Sequence, residues 1–195
     1  MPRYIAFLRA INVGGHTVTM EKLRLLFQAL DLSDVETFIA SGNVIFASRS
    51  KDAPTLQRKI ETHLKAALGY EVLTFLRTDT EIAAIAACRP FPAARMKSSQ
   101  VLVVAFLNAV PGAAAKQSLA ACTTEGDDFH VRGTEAYWLS QTNQSDSVFF
   151  KTGFEKALKL KATARNMNTV AKLSAKYPPS SATGKPSHKA VRKPS

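Results

Sequence analysis

The chain has 195 residues, 46% of them apolar and 21% charged, with 9 Gly, 9 Pro, 2 Cys and a formal net charge of +11, the composition of a globular chain long enough to bury a core unaided. Cys88 and Cys122 stand alone, without CxxC or Cys/His spacing; this excludes a disulfide framework, a zinc knuckle and a thioredoxin-type motif, and leaves two buried, reduced thiols in a cytoplasm as the expectation. No apolar run approaches the ~20 residues of a membrane span, and only five residues separate Arg3 from Arg9, so membrane and secretory classes are excluded as well.

Tyr4-Ile5-Ala6-Phe7-Leu8 is a short apolar run of strand formers that ends at Asn12-Val13-Gly14-Gly15-His16. Met20, Leu23, Leu26, Phe27 and Leu30 then recur with helical period, and Thr19 with Glu21 supplies a cap and an acidic first turn. Val35 to Ile39 and Asn43 to Ala47 read as a hairpin turning at Ser41-Gly42-Asn43. After Pro54, Leu56, Ile60, Leu64 and Leu68 define a second helix stopped by Gly69. Glu71 to Leu76 is a fourth strand. The order β-α-β-β-α-β is that of a ferredoxin-like split βαβ over residues 1–77.

Residues 78–177 repeat the plan by element, not by sequence. A short helix over Thr80 to Cys88 and the connector Arg89-Pro90-Phe91-Pro92 lead to Val101 to Leu107, whose unbroken apolar run predicts a central strand. An Ala-rich helix follows Pro111-Gly112, then a hairpin, Asp128 to Arg132 and Glu135 to Leu139, across Gly133-Thr134. A helix from about Ser147 carries Phe150, Phe154 and Leu158, and a last one starts near Asn166 with Met167, Val170 and Leu173. No closing strand is evident in this half. The expected fold is therefore α+β, two ferredoxin-like subdomains in tandem, followed over residues 178–195 by a Pro/Ser/Lys-rich segment expected to be a disordered basic tail.

Arg9-Ala10-Ile11-Asn12-Val13-Gly14-Gly15, Ser41-Gly42-Asn43-Val44-Ile45-Phe46 and Arg165-Asn166-Met167-Asn168-Thr169 resemble the bacterial family known as domain of unknown function 1697. Arg89-Pro90-Phe91 and the strand to Leu107 fit it as well, so the resemblance extends over residues 1–177. It implies a duplicated ferredoxin-like architecture and carries no activity with it. The family commonly has Gly where Ala10 stands and Trp where Met167 stands.

The strand order brings two loops to one sheet edge, because strands one and two run parallel with strand three antiparallel between them. Arg9, Asn12, Gly14, Gly15 and His16 thus face Ser41, Gly42 and Asn43. Glycines ahead of a helix present backbone N–H groups suited to phosphate or carboxylate, and Arg9 adds charge. Turn chemistry alone also accounts for these residues, with Gly14-Gly15 making the turn and Asn12 and Asn43 tying the loops. The phosphate-loop and Rossmann patterns are absent, and Ser41 near His16 lacks the GxSxG context of a hydrolase. His16, His63, His130 and His188 offer no metal spacing, and no cofactor is implied.

A four-stranded sheet of this kind also serves RNA-recognition domains, but Asn43 to Ser48 lacks their basic-Gly-aromatic pattern. Tyr4, Phe7 and Phe46 are therefore expected in the core. Eleven Lys/Arg lie from Lys151 onward against Glu155 alone, so the net charge belongs to the C-terminal quarter. Lys151, Lys159, Lys161 and Arg165, with Lys185, Lys189, Arg192 and Lys193 of the tail, form a candidate polyanion surface, or a merely solvated one. The expected function is recognition of an anionic ligand, a nucleotide or nucleic acid. The alternatives are a small-substrate enzyme at the same loops and a protein-interaction module.

Overall fold

A computed structural model describes residues 1–12, 15–39, 42–143, 147, 149 and 153–179. The elements follow in the order β1 (Arg3–Leu8), α1 (Met20–Gln28), β2 (Ser33–Thr37), β3 (Asn43–Ala47), α2 (Ala53–Leu68), β4 (Thr74–Thr78), α3 (Asp79–Ala87), α4 (Ala93–Ser98), β5 (Val101–Leu107), α5 (Ala113–Ala120), β6 (Asp127–Arg132), β7 (Glu135–Ser140), α6 (Gly153–Leu158), β8 (Ala162–Asn166) and α7 (Met167–Lys176). They build two four-stranded antiparallel sheets ordered β2-β3-β1-β4 and β6-β7-β5-β8. Each half is a β-α-β-β-α-β unit, and the whole is a duplicated ferredoxin-like fold.

Local chemistry sets the helix ends. The Thr19 hydroxyl accepts from Lys22 N–H at the start of α1, and Thr78 and Glu81 form a reciprocal capping box on α3. Gly69 ends α2 in the left-handed region at φ 83°. Strand edges moved more. β2 lies two residues earlier than the Val35–Ile39 expectation and carries a bulge between Ser33 and Glu36, while Ile39 turns at φ 58°. β4 starts at Thr74 rather than Glu71, and the Pro-rich connector runs into the extra helix α4; of the helix expected from about Ser147, α6 covers Gly153–Leu158 with Phe154 and Leu158 buried, and Phe150 lies outside the described residues.

The second half does have its closing strand. Ala162–Asn166 pairs with β5 from Leu107↔Ala162 to Val103↔Asn166. It is short, Ala-rich and one-sided, so it lacks the apolar alternation by which a strand is recognised. Cys88 is buried as expected, whereas Cys122 is only half-buried, its thiol donating to the Ser118 carbonyl at 3.4 Å; both are free.

The two sheets pack face to face. Tyr4, Ala6, Leu8, Val44 and Phe46 point to α1 and α2, and Val103, Ala105, Leu107, Ala136 and Trp138 point to α5 and α6. Between the sheets lie Ile5, Phe7, Ile45 and Phe75 from one side and Val104, Phe106 and Tyr137 from the other, flanked by Ile82 and Ile85 of α3 and Val170 and Leu173 of α7. The sheet face that could stack bases is thus closed by the other half, and Tyr4, Phe7 and Phe46 are core residues.

The registers expose an internal repeat. Phe7 pairs with Asn43 and Ile5 with Arg77; Phe106 pairs with Glu135 and Val104 with Arg165. Phe7 and Phe106 stack at 4.0 Å between centroids, Arg77 lies over Phe106 and Arg165 over Phe7. Each arginine also crosses to the other half. Arg77 donates to Glu135 at 2.7 Å and to the Thr134 hydroxyl at 2.9 Å; Arg165 donates to Asn43 Oδ1 at 2.7 Å and to the Leu8 carbonyl at 3.0 Å. A pseudo-twofold axis through the Phe pair therefore relates the halves, with α3 following β4 as α7 follows β8.

Candidate functional site

One end of the interface collects the stretches that carry the family resemblance. β1 ends at Leu8, whose N–H donates to the Gly42 carbonyl at 2.8 Å, so the hairpin tip is fixed to the start of the β1–α1 loop. Gly42 sits at φ 71°, and a Cβ there would fall 2.7 Å from Ile11 Cγ2 and 3.2 Å from Leu8 Cβ; only glycine allows this approach. Asn43 is fully buried. Its amide donates to the Phe38 carbonyl at 2.9 Å while its oxygen receives Arg165.

Arg165 belongs to β8 and is half-buried against the other half, not on a solvated helix face as a polyanion contact requires. It also donates to the Thr163 hydroxyl and the Ala164 carbonyl. Burial pulls its guanidinium down to about 10, which leaves it charged at neutral pH. The next residue, Asn166, caps α7, its side chain accepting from Asn168 N–H.

Arg9 faces outward beside this core. Its guanidinium grips Glu155 of α6 with two contacts, 2.9 and 3.0 Å, and both side chains are about one-third exposed, 36% and 33%. Glu155 also accepts from Ala162 N–H, which fixes its carboxylate against the start of β8. Exposed Lys159 and Lys161 follow on the α6–β8 turn, where the Lys161 carbonyl accepts from Asn108 N–H and the Lys161 N–H donates to Asn108 Oδ1. The Glu155 carboxylate is thus met by Arg9, and two further exposed cations, Lys159 and Lys161, stand on the turn that follows α6.

The other proposed loop residues have local roles. Asn12 Oδ1 accepts from Val18 N–H at 2.7 Å and closes its own loop. Gly15 is exposed at φ 86°. His16 lies flat on Tyr70, 3.9 Å between centroids, and the Tyr70 hydroxyl donates to the Ile11 carbonyl. The structure therefore brings Arg9, Gly42, Asn43 and Arg165 together and turns His16 to Tyr70. Gly14, Ser41, Lys151 and the tail residues Lys185, Lys189, Arg192 and Lys193 lie outside the described residues. No group of three or more metal-ligating side chains occurs among the described residues, and no described helix is long and apolar enough to cross a membrane.

Ala10 takes φ 59°, a left-handed conformation that costs a residue with a Cβ about 1 kcal/mol. Glycine suits that position better. Ala10→Gly is expected to raise stability by up to about 0.5 kcal/mol, after the loss to extra unfolded-state freedom, measured as a small increase in the denaturant midpoint.

Glu155, Arg77, Thr163 and Glu135 were not singled out by sequence as interface residues. A signal for the arginines exists: Arg77-Thr78 and Arg165-Asn166 are each an arginine followed by a helix N-cap, at the same register against the first strand of their own half.

These features define a duplicated ferredoxin-like α+β protein with a polar, loop-built edge between its halves. The chain belongs to the family described as "Protein of unknown function (DUF1697)", which matches residues 1–137; the Arg165 to Thr169 stretch lies beyond that match. A conserved bacterial protein from Streptococcus pneumoniae has the same fold, with a TM-score of 0.64 and 22% identity over 89% of this chain and 97% of that one. No curated protein matches significantly.

Proposed function

We propose that the chain binds an anionic ligand, of the nucleotide or nucleic-acid class, at the rim formed by Arg9, Lys159 and Lys161. The supporting observation is the one-third-exposed Arg9–Glu155 pair, set where the end of β1, the β2–β3 hairpin and β8 converge. A guanidinium in that setting exchanges a carboxylate for a phosphate with little rearrangement, since both acceptors suit its fork geometry. Arg165, Asn43 and Gly42 hold the backbone beneath it. The basic residues of the C-terminal segment add sequence-independent attraction to polyanions through counterion release.

The test is a titration of the full chain with adenosine triphosphate and with a single-stranded RNA at two salt concentrations. Arg9→Gln is expected to weaken binding about fivefold, the worth of one exposed charge contact of about 1 kcal/mol. An affinity equal to the parent's for both probes removes the site.

A further inference from the structure

We propose a second binding site, in the groove between α3 and the β6–β7 hairpin, that takes a small apolar carboxylate with its charged end on Arg132. The groove encloses about 380 Å³, within the range of small-molecule sites. One wall is Ala84 and Ile85 of α3, the other is Val110, and Tyr137 lies at the base. Val110 is 61% exposed, an apolar surface of this groove that an apolar ligand body would cover.

The charge at the rim selects the ligand. Glu135 is held by Arg77 at 2.7 Å, and Glu81 receives both the N–H and the hydroxyl of Thr78 in the α3 cap. Both carboxylates thus already hold donors. Arg132 is exposed, and among the described residues its guanidinium meets only Cys88 Sγ, at a long 3.7 Å, with no carboxylate within ion-pair distance. A thiol is a weak acceptor, so four of the five guanidinium N–H donors remain for a carboxylate in bidentate geometry. The β6–β7 tip at Gly133-Thr134 corresponds under the pseudo-twofold to the β2–β3 tip at Gly42. The groove is therefore the second half's own version of an interface site, and it shares no residue with the Arg9 rim.

The experiment is calorimetric titration of the full chain with 3-phenylpropionate, 3-phenylpropanol and 3-phenylpropylamine, repeated with Arg132→Gln and Val110→Asp. Both positions are exposed, so neither change disturbs the core. The expected result is saturable binding of the carboxylate, about tenfold weaker for the alcohol and for Arg132→Gln, and lost in Val110→Asp, with Arg9→Gln unchanged. Failure of the carboxylate to bind, equal or better binding of the alcohol or amine, or indifference to both groove variants would overturn the proposal.

Discussion

Arg77→Met is expected to destabilise the chain by about 4 kcal/mol, seen as a lower denaturant midpoint at unchanged slope. The arginine side chain is 9% exposed and that of its partner Glu135 15%. Removing the cation leaves a carboxylate at the interface without its counter-charge, and strips the Thr134 carbonyl and hydroxyl of a donor. The same loss uncovers Phe106, over which the guanidinium sits at 5.2 Å. The pair as a whole contributes far less than the single deletion suggests, because desolvation of both ions offsets most of their attraction. Arg77→Met combined with Glu135→Leu should therefore recover most of the lost stability. A double variant as unstable as Arg77→Met alone would show that the ion pair itself holds the halves together.

Phe106→Ala is expected to cost about 4 kcal/mol by the same measurement, the usual range for emptying a buried aromatic site. Phe106 is fully buried and stacked on Phe7, so its removal opens a void at the centre of the interface between the sheets. Phe7→Ala should cost a similar amount by the pseudo-twofold. Because the rings touch, the double substitution should cost less than the two separately. A loss under about 1 kcal/mol for Phe106→Ala would mean that the sheets do not depend on this contact.

The elements legible in the sequence are those whose chemistry is local. The run Val101 to Leu107 is a central strand because it is buried by neighbours on both sides, and Thr19, Gly69 and the turn after Arg132 mark their boundaries by cap and turn chemistry. The convergence of the Arg9 loop with the Gly42 hairpin followed from strand order alone. What stayed hidden depends on partners distant in sequence. Arg165 reads as one more cation in a basic quarter until sheet packing turns its side of β8 inward. Arg9 is joined to a glutamate 146 residues away, and no local pattern announces it. Asn12 and Asn43 have the loop-tying role that turn chemistry offers such residues, though Asn43 ties the two halves as well.

On the proposed function, the two arginine crossings serve stability and Arg9 serves recognition. Arg77 is buried and Arg165 half-buried, and both hold strands and hairpin tips in place, while Arg9, one residue beyond β1, keeps a third of its side chain in water. On that reading Glu155 would compete with the ligand for the guanidinium and tune affinity without carrying the fold, since an exposed pair of this kind contributes at most about 1 kcal/mol.

Glu155→Gln is the most direct measurement of that competition. The amide keeps the acceptor for Ala162 N–H and removes only the charge opposing a ligand anion. Titrated with adenosine triphosphate beside the parent chain, the variant should bind about fivefold more tightly at unchanged thermal stability to within about 1 kcal/mol. Equal or weaker binding by a folded Glu155→Gln chain would contradict an anion site at Arg9.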